Sequence, residues 1–204
     1  MKLSVKTNAD QVLREIDSYV AGLKRAATRA VNELTDQAKT AGLREISRIY
    51  GIGPRAFERY VEVRIARGEE TGASIVVRGK GLPLHIFGAT PTKRGVTVKV
   101  KGRRFLIPHA FIQRMNSGHV GVFARGAYAG KGVLRKSGDT FGRFVFGYSR
   151  RRKSDRSRFS INELYTFAPP DAFANEAVTA AMANRVDEQL GRVMKRAIAF
   201  EVRR

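Results

Sequence analysis

From Val12 to Ala41 the apolar side chains recur in steps of three and four: Val12, Ile16, Tyr19, Leu23, Ala27, Ala30, Leu34, Ala38 and Ala41. That spacing puts them on one face of a helix, and no strand tolerates it. Asn8 and Gln11 have capping-box spacing at the start of the run. Gly42 shifts the phase, after which Leu43, Ile46 and Ile49 carry the stripe to Gly51-Ile52-Gly53-Pro54, where glycine and proline end it. Unbroken, the helix is on the order of 60 Å long. A helix of that length exceeds what one domain needs, so it is expected to offer a second face to a neighbouring subunit.

Pro54 suits the first position of a short second helix carrying Phe57, Tyr60 and Val61. Period-two alternation then takes over. Val61, Val63 and Ile65 form one candidate strand, and Ser74 to Val77 another, with Glu69 and Glu70 in a solvated turn between them. Leu82 to Gly88 is apolar but carries Pro83, which predicts an edge or crossing segment. The clearest strand holds Val96, Val98 and Val100 on one face and Thr97, Lys99 and Lys101 on the other. Lys101-Gly102-Arg103-Arg104 turns it into a hairpin with Phe105-Leu106-Ile107, and Ala110 to Met115 and Val120 to Arg125 extend the sheet. A basic arm follows. Pro169-Pro170 then breaks the chain before a last helix from about Asp171, striped by Ala177, Val178, Met182, Val186, Leu190, Val193, Ala197 and Ile198. The order helix, sheet, arm, helix predicts an α+β fold with a mostly antiparallel sheet. One domain is expected over residues 1–204. Its parts are a helical region at 1–53, a short helix and sheet at 54–125, the arm at 126–160, and a helical region at 161–204.

Composition narrows the function classes. Hydrophobic residues make up 43% of the 204, enough for a core. Cysteine is absent from the sequence, which removes disulfide scaffolds, thiol catalysis and Cys-based zinc sites. The opening Met-Lys-Leu-Ser-Val-Lys lacks a signal-peptide core, and no window reaches the ~18 apolar residues of a spanning helix, so no membrane association is expected. The net charge is +21, and residues 93–158 carry +16 of it, with only Asp139 and Asp155 opposing. Such a segment meets phosphates by releasing condensed counterions and reads no sequence. Helix-turn-helix, zinc-finger and RNA-recognition signatures are missing.

Catalytic constellations are scarce. His85, His109 and His119 lie apart, with no His-x-x-x-His pair for a metal. His109, after Pro108, reads as a hydrogen-bonded turn residue. Gly79-Lys80-Gly81 and Gly130-Lys131-Gly132 lack the spacing and the hydroxyl of a phosphate loop. The expectation is a non-enzyme without cofactor or metal. Gly95, Gly118 and Gly121 read as turn or close-packing positions.

Several blocks, in order, resemble the bacteriophage minor tail protein Z family, the tail completion proteins of long-tailed phages. They begin with Arg29-Ala30-Val31-Asn32 and Arg44-Glu45-Ile46-Ser47-Arg48-Ile49-Tyr50-Gly51-Ile52. Leu82-Pro83-Leu84, Phe87-Gly88 and Thr92 to Val100 follow. The most telling block is Ile107-Pro108-His109-Ala110-Phe111-Ile112 with Ser117-Gly118-His119-Val120-Gly121-Val122-Phe123-Ala124-Arg125. Ile161-Asn162-Glu163-Leu164-Tyr165 closes the series, so the likeness runs from about residue 25 to the C-terminal helix, the arm excepted. Two departures stand out. The family passes quickly from the Val-Phe-x-Arg strand to the Ile-x-Glu-Leu segment, where this chain inserts residues 126–160. After Leu164-Tyr165 it usually has Gly-Pro-Ser, where this chain has Thr166-Phe167-Ala168-Pro169-Pro170.

The resemblance implies structural work in the virion, after assembly in the host cytoplasm. The expected place is the head-proximal end of the tail, in a homo-oligomeric ring, sixfold in many relatives, around the DNA channel. Implied partners are the tail terminator, tail tube or neck proteins, and packaged DNA. The phosphate contacts are expected from Lys99, Lys101, Arg103 and Arg104, with Arg150, Arg151, Arg152, Lys153, Arg156 and Arg158 of the arm. Phe141, Phe144, Phe146 and Tyr148 form either a small satellite core or a subunit-docking patch. The alternative on charge alone is a free-standing nucleic-acid-binding protein without sequence preference.

Overall fold

The computed structural model describes residues 9–68, 72–79, 81–125, 146–147 and 161–202. The fold is α+β. Helix α1 (Ala9–Tyr50) runs unbroken for 42 residues, straight through Gly42. It ends where Gly51 adopts φ +71° and donates its N–H to the Ser47 carbonyl at 2.9 Å, a left-handed glycine cap. Asn8 of the capping box lies outside the described residues, as do Glu69 and Glu70.

The described residues fall into two compact units. The first comprises 9–41, 62–76 and 180–202. In it α1 packs against α4 (Glu176–Val202) along a seam of small residues, with Ala26, Ala30 and Leu34 on one side and Val193 and Ala197 on the other. The helices are antiparallel: Arg25 and Arg29 each reach Glu201 at 3.0 Å, and Glu33 pairs with Arg196. Asn32 grips the Ala66 backbone twice, donating to its carbonyl at 3.1 Å and accepting its N–H at 2.7 Å. The two-stranded sheet of β1 (Val61–Arg64) and β2 (Ser74–Val77) also begins here.

The second unit comprises 42–61 and 77–179. The short helix α2 (Pro54–Glu58) starts on its proline and buries Phe57 completely. Two antiparallel sheets follow. One has the order β3 (Thr90–Thr92), β4 (Gly95–Val100), β5 (Arg103–Pro108). Pro91 lies on its edge strand, where proline takes nothing from the ladder and blunts the edge. The other sheet has the order β6 (Ala110–Arg114), β7 (Val120–Arg125), β9 (Ile161–Tyr165), β8 (Phe146–Gly147). Val96, Val98 and Val100 are buried while Lys99 is exposed, as their alternation predicts.

Three expectations need correction. Of the two readings of Leu82 to Gly88, edge or crossing segment, the edge strand does not form: Pro83 makes one bridge to Tyr165, and Leu84–Phe87 then winds into a 3-10 turn whose Leu84 and Phe87 are buried. Pro169 and Pro170 do not break the chain ahead of the last helix but open a short helix of their own, since proline's missing N–H costs nothing in a first turn. That short α3 (Pro169–Phe173) is separate from α4. Asn175 divides them, its side-chain oxygen accepting the Ala177 N–H at 3.0 Å as an N-cap. Finally, part of the stripe on α1 is not core. Ile16, Tyr19 and Leu23 are 51%, 70% and 54% exposed, and on α4 Leu190 is exposed too.

Candidate nucleic-acid interface

The β4–β5 hairpin turns on two residues, Lys101 and Gly102, both with positive φ (50° and 77°). Two-residue loops of this handedness match the twist of paired strands. Glycine enters that region freely and lysine does so at a cost. Lys101 is held there from outside the hairpin. Its N–H donates to the Tyr50 carbonyl at 3.4 Å, and its ammonium lies 5.2 Å from the Tyr50 ring centre. Tyr50 closes α1, so the Lys101 N–H satisfies one of the helix's terminal carbonyls while its ammonium lies near the negative end of the helix dipole.

The turn fixes the register, and the register sorts the predicted cations. Lys99 lies directly opposite Arg104, and Arg103 opposite Val100. Lys99 and Arg104 therefore share one face, both exposed, and alternation sends Arg103 to the other. Like charges directly across a ladder destabilise it, and an anion bridging them removes that repulsion. The hairpin thus presents a two-cation face, Lys99 with Arg104, while Lys101 is engaged with Tyr50. Exposed Lys93 and Arg94 occupy the β3–β4 turn at the far end of β4. Arg150, Arg151, Arg152, Lys153, Arg156 and Arg158 lie outside the described residues, as do Phe141, Phe144 and Tyr148. Phe146 belongs to β8, paired with Tyr165 at the edge of the four-stranded sheet.

Two of the three histidines that the sequence sets apart come together. The His119 and His85 rings meet edge-to-face, 6.0 Å between centres, and His119 Nε2 is 2.7 Å from Glu163. The Tyr165 hydroxyl donates to the other Glu163 oxygen at 2.5 Å. Burial is the main reason that His85 titrates below the usual imidazole range; the neighbouring His119 adds to the shift, Glu163 opposes it, and Arg59 adds to it. The buried Nδ1 of His85 has no hydrogen-bond partner among the described residues. The only trace of this cluster in the sequence is the i, i+2 spacing of Glu163 and Tyr165 on one strand face. His109 sits apart, in the one-residue turn between β5 and β6, donating its N–H to the Arg94 carbonyl at 3.1 Å. Among the described residues no group of three or more His, Asp or Glu is placed to hold a metal.

The family described as prophage minor tail protein Z matches residues 6–134, more than half of the chain. The chain belongs to the minor tail protein Z family. No curated protein and no solved structure matches it. The family match takes in α1, the β4–β5 hairpin and β7, but not β9 or α4. It thus begins earlier than the first quoted block and stops short of Ile161-Asn162-Glu163-Leu164-Tyr165. Membership of the minor tail protein Z family gives the chain a structural role in a phage tail and points away from catalysis. No helix among the described residues is long and apolar enough to cross a membrane.

Proposed function

We propose that this minor tail protein completes the head-proximal end of the tail and helps join it to the DNA-filled head, as a homo-oligomeric ring around the DNA channel. The observation that carries the reading is the family match over residues 6–134. The charge supports it. A channel wall or the end of packaged DNA needs phosphate contact and no base readout. Lys99 and Arg104 offer that contact on one strand face, and Arg150, Arg151, Arg152, Lys153, Arg156 and Arg158 of the arm add six more cations of the +16 segment. The partners in this reading are other copies in a sixfold ring, the tail terminator, tube or neck proteins, and DNA.

Interrupting the gene in a producing host and imaging the lysate tests the reading. The expected result is filled heads beside free or defective tails. Normal, joined and infectious particles would refute it.

A further inference from the structure

The solvent face of the three-stranded sheet carries more than Lys99 and Arg104. Val96, Val98, Val100 and Ile107 turn inward and are buried. Cross-strand partners share a face, so the outward side is built from Thr92, then Thr90, Thr97 and Leu106 as one row, then Lys99 with Arg104. At the far end of β4, Lys93 and Arg94 form the two-residue turn from β3, both exposed. Neither cation pair meets a carboxylate among the described residues, and residues 71–138 contain no Asp or Glu to supply one. The sheet thus has two cations at each end of β4 and no local counter-charge.

The middle of the face limits what can lie on it. The Thr92 hydroxyl donates to the Gly95 carbonyl at 2.9 Å, Thr97 to the Thr90 carbonyl at 3.2 Å, and Thr90 to the Gly88 carbonyl at 3.3 Å. Their protons are spent within the chain, so none is left to donate to a base or a phosphate. The row has no aromatic side chain either, and proteins that hold single strands without reading sequence stack the bases on aromatic rings. From Arg94 to Lys99 the strand rises about 17 Å. Along a duplex laid over the sheet, one charge per ~1.7 Å of axis leaves phosphates within reach of both pairs. A duplex with a persistence length of ~500 Å is straight over that distance. Engaging one pair therefore delivers the other without further ordering cost. A single strand has to be held flat over a row that offers its bases nothing.

We propose that Lys93 and Arg94 join Lys99 and Arg104 in one interface, the outward face of β3, β4 and β5, and that this face takes double-stranded DNA in preference to single-stranded. The interface rests on the phosphate contact in the proposed function and is independent of the ring and of the protein's place in the tail.

Titration of the full chain, freed of nucleic acid, with a duplex and a single strand of equal length over a range of salt tests it. Lys93→Ser with Arg94→Ser is expected to lower the duplex salt slope by about 2, and all four serines together by about 4. The single-strand slope is expected to move by less than about 1 for the four together. Arg44→Ser with Arg55→Ser, at exposed positions of α1 and α2, removes as much charge as one pair and should leave both slopes in place. Circular dichroism checks that each variant keeps its fold. A duplex slope that ignores Lys93→Ser and Arg94→Ser but falls with Lys99→Ser and Arg104→Ser would overturn the joint face and leave the hairpin contact standing. A slope that ignores both pairs would remove the hairpin contact as well. An equal fall with the single strand would overturn the duplex preference, and an equal fall with Arg44→Ser and Arg55→Ser would overturn direct contact.

Discussion

A methyl group at Gly95 would sit 2.0 Å from the Ile107 carbonyl oxygen, in a backbone whose φ of +148° no L-residue adopts easily. Gly95 lies opposite Pro108, at the end of β4 where the cross-strand backbones come closest. Since the obstacle is backbone, it cannot swing aside. Gly95→Ala is expected to cost on the order of 3 kcal/mol, read as a lower midpoint in chemical denaturation. His85 makes a prediction in pH. Its folded pKa is depressed, so the unfolded chain takes up the proton first. The stability His85 contributes is whole above the ordinary value of 6.5 and is lost as pH falls through the folded value. His85→Leu should flatten the decline in stability below pH 6.5, and an unchanged slope would exclude this role for the buried ring. Glu33 acts in a lower window. Its hydrogen bond to Arg196 holds its carboxyl below the ordinary 4.5 against the opposing effect of burial, so its contribution persists above that pH and disappears beneath it.

Among the elements, those with a regular period were legible and those decided by one side chain were not. The α1 stripe and the Val96, Val98, Val100 alternation each repeat one spacing several times, and both elements form as predicted. At the α3–α4 break Asn175 caps α4 with its side chain, in a stretch whose apolar spacing continues across it. Asn175→Ala should cost about 1 kcal/mol and fray the first turn of α4, visible as faster amide exchange at Ala177. The Lys101–Gly102 turn was legible as a hairpin, but its anchorage on Tyr50, half the unit away in sequence, was not. The same limit hid the meeting of His85, His119 and Glu163, since long-range pairing leaves no mark in local spacing. The basic character of Lys99 and Arg104 could be read from the sequence. Their sharing of one face, with Lys101 drawn aside, came from the strand register.

For the whole molecule, charge and family membership meet in the proposed role at the DNA channel. Replacing Lys99 and Arg104 together by serine should reduce the salt slope of duplex-DNA binding by about 2, measured by titration over a range of salt. An unchanged slope would remove the hairpin face from the interface. The most direct measurement of the central claim is the protein's place in the virion. Gold-labelled antibody against the chain, imaged on intact particles and on tails released from heads, should mark one spot at the end of the tail that meets the head. Label along the tube or at the distal tip would contradict a completion role.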